Sequence, residues 1–240
     1  MAIKPILFNT EMVRAILDGR KSCTRRLVKT RRKDACGFYV TRRKTDGSFT
    51  GIYEYDENES MFDNPLEPPY QPGDILYVRE SVFQGVGRYL DVSGETVCVL
   101  TNDFEYYADG LHEKDHWKDK YENTWMHRRP SIHMPKEAAR IWLNVTDVRV
   151  ERLQEITEEK ACVEGTDPWD EACYENNGWH PTFSDPDSGG DPNMIDGFHK
   201  LWNSTIKKSD LDRYGWDANP WVWVIEFERC KKPEEDKRCD

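Results

Sequence analysis

The organisation of this chain turns on Asp18-Gly19-Arg20-Lys21-Ser22-Cys23-Thr24-Arg25-Arg26. Upstream, Met12, Val13, Ile16 and Leu17 recur at helical spacing. Asn9 or Thr10 can cap that helix, and Gly19 falls where a left-handed C-terminal stop is expected. Downstream, residues 25–28 read as the start of a strand. A glycine stop, a lysine, a hydroxyl and an arginine pair therefore sit on a helix-to-strand turn. Rigid elements on either side of an exposed loop are a common setting for function.

Three readings of this turn stay open on the residues alone. It is a solvated basic loop, as charge runs usually are. It is a phosphate-binding surface, because clustered Arg and Lys neutralise nucleic-acid backbones. Or it is catalytic, with a lysine of lowered pKa taking the proton of Thr24, whose hydroxyl is a weak nucleophile unaided. In a regular strand Lys21 and Thr24 would face opposite ways, so a catalytic pairing requires a break in the alternation between them.

Composition narrows the class. A chain of 240 residues holds one sizeable core or one domain with large insertions. With 37% hydrophobic and 33% charged residues, and no apolar run near the roughly 18 residues of a spanning helix, a cytoplasmic protein without a signal peptide is expected. Seven cysteines without CxxC pairing predict reduced thiols rather than a disulfide framework or zinc site. The net charge of −11 argues against binding nucleic acid over the whole surface. Yet Arg20 to Lys44 holds eleven basic residues and one acid, Asp34, a concentration able to focus an anionic ligand.

Working outward, Ile3–Phe8 reads as a short strand. Tyr70-Gln-Pro-Gly-Asp is a turn leading into a strand from Ile75 to Phe83. Glu80 near its end reads best as a salt bridge to an arginine. Residues 85–130 carry a possible hairpin with arms Thr96–Leu100 and Phe104–Ala108. His112 and His116 lie four apart, but their segment is too polar for a buried metal helix, and no metal or cofactor is expected. Ile141, Leu143 and Val145 share one strand face. Thr157 caps a short helix that ends at Gly165, which puts Glu164 at its negative end. That end disfavours a carboxylate charge and suits a general acid or base. Phe198–Ile206 reads as a helix with Phe198, Leu201 and Trp202 inward. Trp221–Glu228 reads as the central strand. Short strands and short helices in irregular order predict an α+β protein built on a small mixed barrel. The domain expected is 1–230, with insertions at about 29–69, 85–130 and 166–197, and a charged tail at 231–240.

These residues resemble the ASCH-domain family, a PUA-like β-barrel group tied to RNA, whose motif is G-x-K-x-x-E-x-R. Gly19, Lys21 and Arg26 match it, while Thr24 replaces its glutamate. The threonine makes the chain similar to the small bacterial members that hydrolyse N4-acetylcytidine. Gly73–Val78, Leu143–Leu153 with Ile156–Ala161, and Val222–Phe227 extend the resemblance over about half of the chain. The long form looks like ASCH-like proteins of phage and prophage genomes.

The resemblance implies a catalytic set of Lys21, Thr24 and Glu164, with Gly19, Arg20, Arg26, Arg79 and Glu80 as substrate-binding residues. Backbone N–H groups at the Gly19 turn would hold the oxyanion, Lys21 would be kept partly neutral by Arg20, Arg25 and Arg26, and Glu164→Gln would preserve the fold. The implied substrate is an N4-acylated cytosine nucleoside or a related modified-nucleoside amide. The alternative is a single-stranded RNA-binding module, with or without nuclease activity, using Arg25, Arg31, Arg32, Arg128 and Arg129. Neither reading involves a membrane.

Overall fold

The helix before the glycine turn forms as its pattern requires. The computed structural model describes residues 1–47, 49–110, 124–166 and 194–234. After strand β1 (Ile3–Leu7), helix α1 (Thr10–Leu17) is capped by Asn9, whose Oδ1 accepts from the Met12 N–H at 2.8 Å. Val13, Ala15 and Ile16 are its buried residues, and Gly19 leaves it at φ +78°, the left-handed conformation that favours glycine. Among the described residues the chain is α+β, with strands in several sheets and few short helices; no closed barrel is formed. No described helix is long and apolar enough to cross a membrane.

The chain divides into two compact units interleaved in sequence. The first comprises Met1–Gly19, Gly73–Asn144 and Glu228–Asp240. In it β1 lies parallel to β5 (Ile75–Arg79), and β5 pairs antiparallel with the start of β9 (Trp142–Arg152). A three-stranded sheet has the order β7-β6-β8, from β6 (Val82–Leu90), β7 (Thr96–Tyr106) and β8 (Thr124–Arg129). Ile75, Val82, Met134, Ala138, Ala139 and Trp142 form a core cluster of this unit. Each large apolar side chain fully buried there contributes roughly 1.5–3 kcal/mol.

Two expectations fail in this unit. The run from Ile75 to Phe83 is not one strand: it breaks at Glu80-Ser81, where the Glu80 carboxylate turns to Arg140. The expected hairpin arms, as far as Tyr106, are one strand, β7, whose antiparallel partner is β6, and Tyr107 and Ala108 lie in a 3-10 turn beyond it. Thr101-Asn102-Asp103 resembles a turn in sequence, but it is a bulge. The register jumps between Gln84 and Val86, and Thr101 Oγ1 donates to Asp103 Oδ2 at 2.9 Å. Gly85 lies opposite, where a Cβ would come within 2.4 Å of the Thr101 hydroxyl. The true hairpin turn is at Asp91, whose Oδ1 accepts from the Ser93 and Glu95 N–H groups.

The second unit comprises Arg20–Pro72 and Val145–Phe227. Strand β2 (Cys23–Leu27) pairs antiparallel with β10 (Trp221–Cys230), and the hydrogen-bonded order is β9-β10-β2. Cys23, Val222 and Val224 pack against Leu153, Ile156, Ala161, Phe198 and Trp202. The last two come from α3 (Met194–Thr205); Leu201, expected inward, is half-buried. Helix α2 (Glu158–Cys162) is capped by Thr157, whose Oγ1 accepts from the Lys160 N–H at 3.3 Å, and Gly165 follows at φ +80°. The stretch 29–69, in which Thr50–Tyr55 reads as a hairpin arm, contains a hairpin of β3 (Gly37–Arg42) and β4 (Phe49–Tyr55) that buries Ile52 completely. The unit also holds the short helix α4 (Leu211–Tyr214). The His112–His116 pair and most of 166–197 lie outside the described residues.

Candidate active site

The approach to β2 is irregular, and the irregularity shapes the site. The N–H groups of Ser22 and Cys23 both donate to the Val163 carbonyl, at 3.0 and 3.1 Å. Lys21 then forms a single antiparallel bridge with Glu164. Two residues set against one is the hydrogen-bonding pattern of a β-bulge, which re-aims side chains beside it. The extra residue interrupts strict alternation between Lys21 and Cys23. Strand parity therefore no longer forces Lys21 and Thr24, three apart, onto opposite faces. Thr24 itself is buried on β2 opposite Ile225.

Glu164 arrives from the other side through the end of α2. Lys21 Nζ donates to the Glu164 carbonyl at 2.7 Å and to its Oε2 at 2.8 Å. Arg25 Nη1 donates to Glu164 Oε1 at 2.8 Å, and Arg25 Nη2 reaches Glu151 Oε2 at 3.3 Å. Glu151 Oε1 in turn accepts from Arg149 Nε at 2.7 Å and Lys160 Nζ at 2.8 Å. The Lys21, Arg25 and Glu164 side chains are 0, 1 and 3% exposed, so these charges meet away from bulk water. Removing one partner from such a network leaves an uncompensated buried charge, at a cost of about 3–5 kcal/mol.

Burial pushes the Lys21 ammonium below its ordinary pKa; the Glu164 charge opposes this, and Arg26 adds a smaller lowering. The expected cause, crowding by Arg20, Arg25 and Arg26, is thus corrected. Desolvation dominates, and Arg25 is spent on the two carboxylates. For Glu151, burial works upward, but the hydrogen bonds from Lys160 and Arg149 outweigh it and hold the carboxyl below its usual range. Burial, helped by Glu164, pushes the Cys23 thiol up to about 12. The five described cysteines are all free thiols.

An open cavity of about 650 Å³ lies in the same unit. Arg25, Arg26, Lys29, Tyr70, Trp202 and Trp223 are among its lining residues. Its size is within the roughly 300–1,000 Å³ of small-molecule sites. Arg25 connects it to the ion-pair network, since it lines the cavity and holds Glu164. Its Nε is a buried donor without an acceptor among the described residues, a state that costs about 1–3 kcal/mol.

The other expected residues distribute as follows. Arg26 is half-buried, pairs across from Trp223 and lines the cavity; burial lowers its pKa against the neighbouring Tyr70. Arg20 Nη1 donates to the Gly165 carbonyl at 3.3 Å. The N–H of Gly19 donates to Ile16 O, and those of Ser22 and Cys23 to Val163 O, so these three amides are not the oxyanion donors expected at the turn. Glu80 and Arg79 belong to the first unit. There Arg140 clasps the Glu80 carboxylate at 2.9 and 3.0 Å, the salt bridge anticipated for it, and Arg79 donates to the Ile132 and Met134 carbonyls.

Of the basic residues assigned to nucleic acid, Arg31 lines the cavity and donates to the Pro65 carbonyl at 2.6 Å. Arg32 pairs with Asp34 and lies over Phe62. In the first unit Arg128 lies over Tyr107, and Arg129 donates to Gln84 Oε1 at 2.6 Å. The reading of the sequence missed Glu151, Arg149 and Lys160. Arg149 and Glu151 sit two apart on a strand, the only local signal, and nothing local links them to Arg25. No protein-family model, curated protein or solved structure matches this chain.

Proposed function

We propose that the second unit is an amidohydrolase site acting on N4-acylated cytosine nucleosides or a related modified-nucleoside amide, on the PUA-like ASCH framework that the sequence resembles. The observation that carries the reading is the buried 2.8 Å contact between Lys21 Nζ and Glu164 Oε2, residues that the resemblance paired across the chain. Lys21, its ammonium disfavoured by burial, acts as the base. It takes the hydroxyl proton of Thr24 as Oγ1 attacks the acyl carbon. The proton passes from Lys21 to Glu164 across their contact, and Glu164 delivers it to the leaving nitrogen as the C–N bond breaks. Cytidine departs, and water hydrolyses the acyl ester on Thr24, releasing the carboxylic acid and restoring the hydroxyl.

Purified protein incubated with N4-acetylcytidine should release cytidine, and Thr24→Ala should abolish the release while Thr24→Ser retains part of it. Equal release by wild type and Thr24→Ala would remove Thr24 from the mechanism.

A further inference from the structure

The cavity carries more charge than the proposed hydrolysis of a neutral nucleoside needs. Arg25 is held by Glu164 and Glu151, and the lining also includes Lys29 and Arg31 with one acid, Glu67. This concentration of cations stands in a protein of net charge −11. The Arg31 guanidinium is fixed in place by the Pro65 carbonyl at 2.6 Å, whereas Lys29 is exposed. Opposite charge requirements do not explain the rest of the lining, because Tyr70, Trp202 and Trp223 add aromatic surface. Cations beside aromatic faces, in a volume of about 650 Å³, suit a ligand that is at once flat, aromatic and anionic.

We propose that this cavity binds a single cytosine-type nucleotide through its phosphate as well as its base, so that the preferred substrate is the phosphorylated, N4-acylated nucleotide rather than the free nucleoside. The phosphate meets Lys29 and Arg31, and the base lies against the aromatic wall. The proposal rests on the amidohydrolase reading for the identity of the base. A free mononucleotide and a nucleotide within RNA share this chemistry, and the cavity volume favours the single unit.

The test is equilibrium binding, read by calorimetry, of CMP, cytidine, inorganic phosphate and a five-residue oligocytidylate to the full chain at low salt. CMP should bind at least about tenfold more tightly than cytidine, and the advantage should shrink as salt screens the phosphate contacts. Lys29→Ala combined with Arg31→Ala should remove most of that advantage and leave cytidine binding within about twofold. Lys29→Glu alone, at an exposed position, should reduce CMP binding without affecting folding. Equal binding of CMP and cytidine, or no CMP binding, would overturn the proposal. Phosphate binding as tightly as CMP would reduce the cavity to an anion site, and oligocytidylate binding more than tenfold tighter than CMP would assign it to RNA; either result also overturns it. Deacylation of N4-acetylcytidine and of its 5′-monophosphate, measured on the same preparation, separates the two readings. Turnover without a preference for the phosphorylated form sinks only this inference, and CMP preference without turnover of either compound sinks the proposed hydrolysis and leaves a nucleotide-binding cavity.

Discussion

Lys21 Nζ is joined to Glu164 twice, through the backbone carbonyl at 2.7 Å and the carboxylate at 2.8 Å, although 143 residues separate them. Glu164 also takes Arg25 at 2.8 Å, so one carboxylate faces two buried cations. This changes what substitutions at the pair should do.

Glu164→Gln was expected from sequence to preserve the fold. With Arg25 and Lys21 both depending on Glu164, it should instead cost about 3–5 kcal/mol, as should Lys21→Met. For a chain of this size that lowers Tm by roughly 6–20 °C. The double variant should lose less than the sum of the two, because neither charge is then left alone. Thermal unfolding of the three variants checks this, and losses that simply add would show the pair to be uncoupled.

Arg25 bridges Glu164 and Glu151 with two arms of one guanidinium. Arg25→Lys retains the charge but not the fork, so it should recover only part of the roughly 3–5 kcal/mol lost in Arg25→Met. Urea unfolding of both variants measures the difference. Full recovery by lysine would mean that charge alone is required.

Burial lowers the Lys21 pKa from its ordinary value of 10.5. In the proposed mechanism Lys21 works in its neutral form, so kcat/KM should rise with pH and level off above an apparent pKa below 10.5. The same shift makes the unfolded chain hold a proton that the folded chain has released in this window, so this group adds stability as pH rises through it. A rate profile that climbs only near 10.5 would contradict a desolvated base.

The Cys23 thiol, raised by burial from 9.0 to about 12, should resist iodoacetamide at pH 8 while exposed Cys36, Cys98 and Cys162 react. Peptide mass mapping after a brief pulse shows which sites are modified. Because its folded pKa is raised, Cys23 contributes stability that is present below pH 9 and is lost as pH rises towards 12. The loss is on the order of 4 kcal/mol, which pH-dependent unfolding would detect. Rapid alkylation of Cys23 in the folded protein would refute its burial.

Local pattern was enough wherever one element satisfies its own groups. Asn9 and Thr157 are legible as caps, and Gly19 and Gly165 as helix stops, because cap bonds and positive φ are short-range requirements. The alternation in Trp221–Phe227 identifies β10 for the same reason, since side chains on a strand reach opposite faces at every step. In the sequence Lys21, Thr24 and Glu164 are linked only by resemblance to a family motif, which does not say whether strand alternation holds between Lys21 and Thr24. The alternation is broken by Val163, whose single carbonyl takes both Ser22 and Cys23 and so creates the bulge. Likewise Thr101-Asn102-Asp103 reads as a turn, and only pairing with β6 makes it a bulge in one long strand. The buried charges were decided by tertiary structure too. Arg25, Glu151 and Glu164 come from distant segments, and each is tolerable without water only because the others arrive at the same place.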